Sequence, residues 1–187
     1  MWSKDEIDEL FRQWPKISGE VGKLYGNKKL SLQVRSDQMM IKHINNCLVE
    51  EISEYDWAES QGEKLDELAD VLNFTHWLIT ATDTDLNHLI QLISFHSVFR
   101  YGFTSINSDS IIGKMVTTGM MAMNLLKNRG WSNYDMLTDE EMFMSRIELY
   151  ISYIIYFVIN QDFTLEEVIS ALNNKLNTNI NRIKSNY

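Results

Sequence analysis

The chain reads as an all-α helical bundle, and three observations carry that reading. Proline occurs once in 187 residues and glycine eight times, so long stretches are free of helix breakers. Apolar residues recur three and four apart, as one face of a helix requires. Runs of alternating β-branched residues, the mark of half-buried strands, are absent.

The first helix is predicted over 4–25, disturbed near Pro15, with Ile7, Leu10, Phe11, Trp14, Ile17, Val21 and Leu24 as its apolar side. A loop follows over 26–32. The second helix is predicted over 37–60, stopped by Gln61-Gly62, and the third over 64–80, so these two should form an antiparallel hairpin. Further helices are expected over 85–99, 109–127 and 139–159. The last of these opens with Thr138 and Glu141 in capping-box spacing. The final helix opens the same way, with Thr164 and Glu167. Leu165, Val168, Ile169, Leu172, Leu176, Ile180 and Ile183 supply its stripe, and the Asn-rich tail stays in helical register. No linker, repeat or low-complexity segment divides the chain, so one domain over 1–187 is expected.

Composition narrows the function. Lys plus Arg total 17 against 26 Asp plus Glu, and a net charge of −9 repels polyanions, so no nucleic-acid partner is expected. The single Cys47 excludes an internal disulfide and a thiolate zinc site, which fits a reducing, cytoplasmic setting. The opening MWSKDEIDEL carries acids where an export signal carries basic residues. The most apolar run, LYISYIIYFVI over 149–159, falls short of the about 20 residues that span a bilayer, so it reads as a buried helix and no membrane partner is expected. The ten methionines read as core filler.

The chemistry concentrates in the second and third helices. Glu50, Glu51 and Glu54 spell EExxE, and after twelve residues Glu67 and Asp70 spell ExxD. At 100° per residue, Glu51 and Glu54 border Leu48, Ile52 and Tyr55, while Glu67 and Asp70 share a face with Val71, Phe74 and Leu78. A solvated acidic face would lie opposite the core, because a desolvated carboxylate without a partner costs several kcal/mol. A cation should therefore compensate these acids. Hard oxygen ligands suit Mg²⁺, with Mn²⁺ as a substitute, ions that keep waters and bridge to phosphates. A di-iron bundle site would need Glu-x-x-His pairs, and none of His43, His76, His88 and His96 falls three after a glutamate. In the C-terminal helix, Lys175, Asn179 and Arg182 share a face beside the apolar stripe and make a candidate phosphate clamp.

The segment LVEEISEYDWAESQGEKLDELADVLNFTHWL resembles the all-α NTP pyrophosphatase superfamily, which includes MazG-like enzymes and dimeric dUTPases. Lys175, Asn179, Arg182 and Tyr187 spell KxxxNxxRxxxxY, similar to the closing motif of dimeric dUTPases and phage dCTPase/dUTPase enzymes, with Leu176 where an asparagine is usual. The resemblance implies a Mg²⁺-dependent pyrophosphohydrolase converting dUTP, dCTP or both to the monophosphate and pyrophosphate. In that reading Glu51, Glu54, Glu67 and Asp70 hold about two or three Mg²⁺ ions. Glu54, or Glu50 as runner-up, orients or deprotonates the attacking water, and Lys175, Asn179, Arg182 and Tyr187 hold the phosphate chain. Gln38 partly matches the family's base-reading glutamine, although Lys42 departs from the pattern. Asn45, Asn73 and Trp57 are further candidates for the base. The resemblance also implies a homodimer or larger homo-oligomer and a place in phage or bacterial nucleotide metabolism. A MazG-like enzyme for other nucleotides and a non-enzymatic helical interaction module are the alternatives. Residues 81–160 carry no motif.

Overall fold

Capping side chains and apolar stripes set seven helices among the residues described by the computed structural model, which are 2–98, 108–127 and 137–185. They are α1 (Lys4–Leu24), α2 (Arg35–Trp57), α3 (Gln61–Thr82), α4 (Leu86–Val98), α5 (Ser108–Leu125), α6 (Glu140–Ile159) and α7 (Leu165–Lys184). No strand occurs among the described residues, so the all-α expectation holds.

α1 continues through Pro15, where a proline removes one backbone donor and normally costs about 3 kcal/mol. The adjoining Trp14 offsets this by full burial, with its indole nitrogen donating to the Leu72 carbonyl at 3.0 Å. Two expected boundaries change. Gln61-Gly62 does not stop α2 but forms the first turn of α3, whose N-cap Ser60 and N3 residue Glu63 make a reciprocal capping box. At α6 the N-cap is Asp139, not Thr138: the Asp139 side chain accepts from the Met142 amide, and Thr138 is buried against α2. The box at α7 forms as expected from Thr164 and Glu167.

Three close pairs build the architecture: α2 with α3, α5 with α6, and α1 with α7. α3 also touches α1, α6 and α7, which puts its acids in the middle of the molecule. One continuous hydrophobic cluster takes residues from all seven helices. α6 is long and apolar enough to cross a membrane by length and composition, beyond the eleven-residue run seen in sequence. In the fold it is a core helix, with Phe143, Ile147, Tyr150, Ile154, Phe157 and Val158 buried.

Candidate functional site

The phase of α2 and α3 brings their acids together. One carboxylate oxygen from each of Glu51, Glu54 and Glu67 lies within 4.8 Å of the others. Asp70, one turn beyond Glu67, accepts a hydrogen bond from Lys175 of α7 at 2.5 Å, and both side chains are partly buried. One cation thus reaches the acids at Asp70, from the helix predicted to hold phosphate.

One lysine does not balance the cluster. Burial, then the Asp70 and Glu54 charges, push Glu51 up to about 8, so it holds a proton that it shares with Glu67 in a hydrogen bond. Glu67 is also raised, chiefly by burial, although Lys175 works the other way. Burial disfavours the Lys175 charge, but the bond to Asp70 together with the charges of Asp70, Asp66 and Glu67 outweighs it and holds its pKa above the ordinary value. A carboxyl pair that keeps a proton near neutral pH is a pair in which a metal ion can take the proton's place.

Two hollows open on this acidic wall. A cavity of about 310 Å³ is lined by Glu51, Asp70 and Asn73 together with Asn179 and Arg182 of α7. Its remaining wall comes from Ser18, Val21, Gly22, Tyr25 and Asn27 of the α1 region and from Phe74 and Trp77, whose rings stack at 5.9 Å and 24°. The Tyr25 hydroxyl donates to Asn179 Oδ1 at 2.9 Å and fixes that amide at the rim. A second, open cleft of about 1120 Å³ is lined by Asn45, Glu50, Glu54, Trp57 and Glu67 together with Val116, Gly119, Met120 and Tyr150.

The sequence-predicted residues thus fall into groups. Glu51, Asp70, Asn73, Asn179 and Arg182 meet in the cavity. Glu50, Glu54, Glu67, Asn45 and Trp57 meet in the cleft, where Trp57 is 82% exposed. Lys175 joins the acids through Asp70. Gln38 belongs to neither hollow: it is fully buried, and its amide donates to the Leu32 carbonyl at 2.7 Å and to the Thr138 hydroxyl at 3.0 Å. Lys42 likewise donates to the Leu126 carbonyl at 2.6 Å. Tyr187 lies outside the described residues. His76 packs edge-on to Trp14, and burial lowers its pKa, as a core-edge histidine should behave.

Sequence reasoning missed Ser18, Asn27, Phe74, Trp77 and Tyr150. A polar Ser18 in the apolar stripe between Trp14 and Val21 was the one available signal. No family model, curated protein or solved structure matches the chain.

Proposed function

We propose that the chain is a Mg²⁺-dependent nucleoside triphosphate pyrophosphohydrolase that converts a pyrimidine deoxynucleotide, dUTP or dCTP or both, to the monophosphate and pyrophosphate. One observation carries the reading. A single cavity joins two acids of the EExxE and ExxD pair, Glu51 and Asp70, to Asn179 and Arg182, residues more than a hundred positions away. A solvated acidic face and a solvated basic tail have no reason to share a cavity.

The donor set fits a hard divalent cation: all its ligand atoms are carboxylate oxygens, partly desolvated and mutually repelling. Glu51, Glu54, Glu67 and Asp70 would hold it. Bound Mg²⁺ supplies positive charge to the phosphate oxygens and acidifies water. Arg182 takes phosphate oxygens in its planar fork, Lys175 acts as a nearby point charge, and Asn179 adds a neutral hydrogen bond. Glu54, exposed on the cleft side, is reached by solvent without crossing the cavity and takes the proton of the attacking water. Glu50, on the same cleft one turn earlier, is the alternative base. In this reading the cavity takes the nucleotide and the cleft admits the water, the acids being shared between the two linings.

A homodimer or larger homo-oligomer in the cytoplasm completes the proposal. The oligomer is supported by large apolar side chains left exposed on α2 and α5 outside the cleft, namely Met39, Met40 and Met121. Pyrophosphate release from dUTP, dCTP, dTTP, dATP, dGTP and the ribonucleotides, each with Mg²⁺ and with chelator, tests the reaction. Mg²⁺-dependent turnover of dUTP or dCTP is expected. A purine preference would move the chain to MazG-like chemistry, and no turnover at all would leave a helical interaction module.

A further inference from the structure

The engagement of Gln38 inside the fold leaves open which groups read the base, and the cavity itself offers a pair. Among the described residues four buried side-chain atoms lack a hydrogen-bond partner, and two of them, Asn73 Nδ2 and Asn27 Oδ1, belong to residues lining this one cavity. Buried amide atoms are almost always paired, so two orphans at one cavity point to a ligand that pairs them. They differ in kind: one is a donor and the other an acceptor.

The Asn73 amide is held by a hydrogen bond, and the backbone of Asn27 is placed by its turn. The Ser18 hydroxyl donates to Asn73 Oδ1 at 2.7 Å, which turns that carbonyl toward α1 and leaves Nδ2 as the available donor. Asn73 follows Asp70 by one turn of α3, so it stands next to the acids along the cavity wall. Asn27 is brought back over α1 by Gly26, whose φ of 70° suits glycine, and its backbone amide donates to the Gly22 carbonyl at 2.9 Å. A Cβ on residue 22 would lie 3.0 Å from Asn27 Nδ2, so Gly22 makes room for that side chain. The stacked rings of Phe74 and Trp77 line the same cavity and provide apolar surface for a flat heterocycle.

We propose that Asn73 and Asn27 are the specificity-determining residues for the base, and that they select an imide edge, a ring carbonyl beside a ring N–H, as uracil presents. Asn73 Nδ2 donates to the ring carbonyl, Asn27 Oδ1 accepts from the ring N–H, and Ser18 is the positioning residue that fixes the polarity of the Asn73 amide. Cytosine carries an amino donor where uracil carries the O4 acceptor, and an acceptor where uracil carries its N–H, so it meets this pair with the wrong polarity. The inference rests on the proposed hydrolysis of a pyrimidine nucleotide and adds which base is preferred and why.

The test compares kcat/KM for dUTP, dTTP and dCTP in the wild type, Asn73→Asp, Asn27→Leu and Ser18→Ala, with far-UV circular dichroism as the folding control. The wild type should favour dUTP over dCTP by about tenfold or more, the scale on which sites built to pair a polar edge discriminate. Asn73→Asp replaces the donor with an acceptor and should lower the dUTP to dCTP ratio about tenfold, with dTTP moving alongside dUTP because it has the same edge. A charge effect on the nearby acids would instead depress all three nucleotides alike. Ser18→Ala should bring the ratio toward unity mainly through KM, with Ser18→Thr restoring it. Asn27→Leu, of similar size and without the acceptor, supplies an independent ratio should Asn73→Asp fail to fold, and should weaken dUTP and dTTP relative to dCTP. A wild-type preference for dCTP, or ratios unmoved by these substitutions in an active enzyme, would overturn the base assignment alone. Absence of wild-type turnover on every nucleotide would overturn the reaction and the assignment together.

Discussion

Asp70 stands between two needs. It pairs with Lys175 at 2.5 Å, and it belongs to a wall of acids that repel one another. Glu67 lies in the same wall and is raised by burial, so its charge is a burden on the metal-free fold. Glu67→Ala should therefore abolish Mg²⁺-dependent pyrophosphate release while raising the urea midpoint of the metal-free protein, by about 1 kcal/mol of stability. Helix content by circular dichroism should not change. Retained turnover would remove Glu67 from the metal site. Gln38 has the opposite character, since its amide ties the Leu32 carbonyl and Thr138 to α2 at a fully buried position. Gln38→Ala should cost about 1–3 kcal/mol in urea unfolding, because buried groups lose their partners. It should leave the order of nucleotide preference as in the wild type, which a base-reading glutamine would not.

At the scale of elements, α3 owes its register to Ser60, whose hydroxyl accepts from the Glu63 amide at 3.1 Å while Glu63 accepts from the Ser60 amide at 3.0 Å. Ser60→Ala should cost about 1 kcal/mol, read as a lower melting temperature. The α5 and α6 contact is tighter still: a Cβ on residue 119 would lie 2.8 Å from the Tyr150 ring. Gly119→Ala should destabilise by about 1–3 kcal/mol through overpacking, despite the better helix propensity of alanine. These two positions also show what sequence conveys. The apolar stripe of α3 gave the phase of Glu67 and Asp70 correctly even though the helix begins earlier than expected, because phase comes from burial and boundaries come from caps. Gly62 looked like a stop, yet Ser60 captured the same stretch as a start. At α6 two adjacent cap-forming residues competed, and burial of Thr138 against Gln38 left Asp139 to cap. The acids of α2 and α3 and the polar residues Lys175, Asn179 and Arg182 of α7 were legible because they repeat at helical spacing. Ser18 and Tyr150 were not, since each meets its partners through a contact between distant elements that no local pattern encodes, and Asn27 was not, since only the fold brings its turn to the α3 acids.

For the whole molecule, the buried acids link stability, pH and metal. Glu51 sits at about 8 in the folded protein against an ordinary 4.5. Between those values the folded state binds a proton that the unfolded chain has released, so the contribution of Glu51 to metal-free stability is fullest below about 4.5 and is lost as pH rises through about 8. Glu67 is raised as well and adds the same sign. His76 opposes this in acid: its folded pKa lies below the ordinary 6.5, so the unfolded chain gains the proton first and stability drops as pH falls below that value. In the proposed site Mg²⁺ would compete with the proton on Glu51, which would make its stabilisation grow with pH. At a concentration about 100-fold above Kd the gain is about 2.7 kcal/mol, and for a chain of this size it amounts to a melting shift of roughly 5–11 °C. Melting temperatures measured from about pH 5 to pH 8, with Mg²⁺ and with chelator, check this. The chelated protein should lose stability from pH 7 to pH 8, and the gap to the Mg²⁺ form should be widest at pH 8 and nearly closed at pH 5. A gap that is absent or independent of pH would mean that the four acids hold no metal, and that Lys175 and a shared proton are all that balances them.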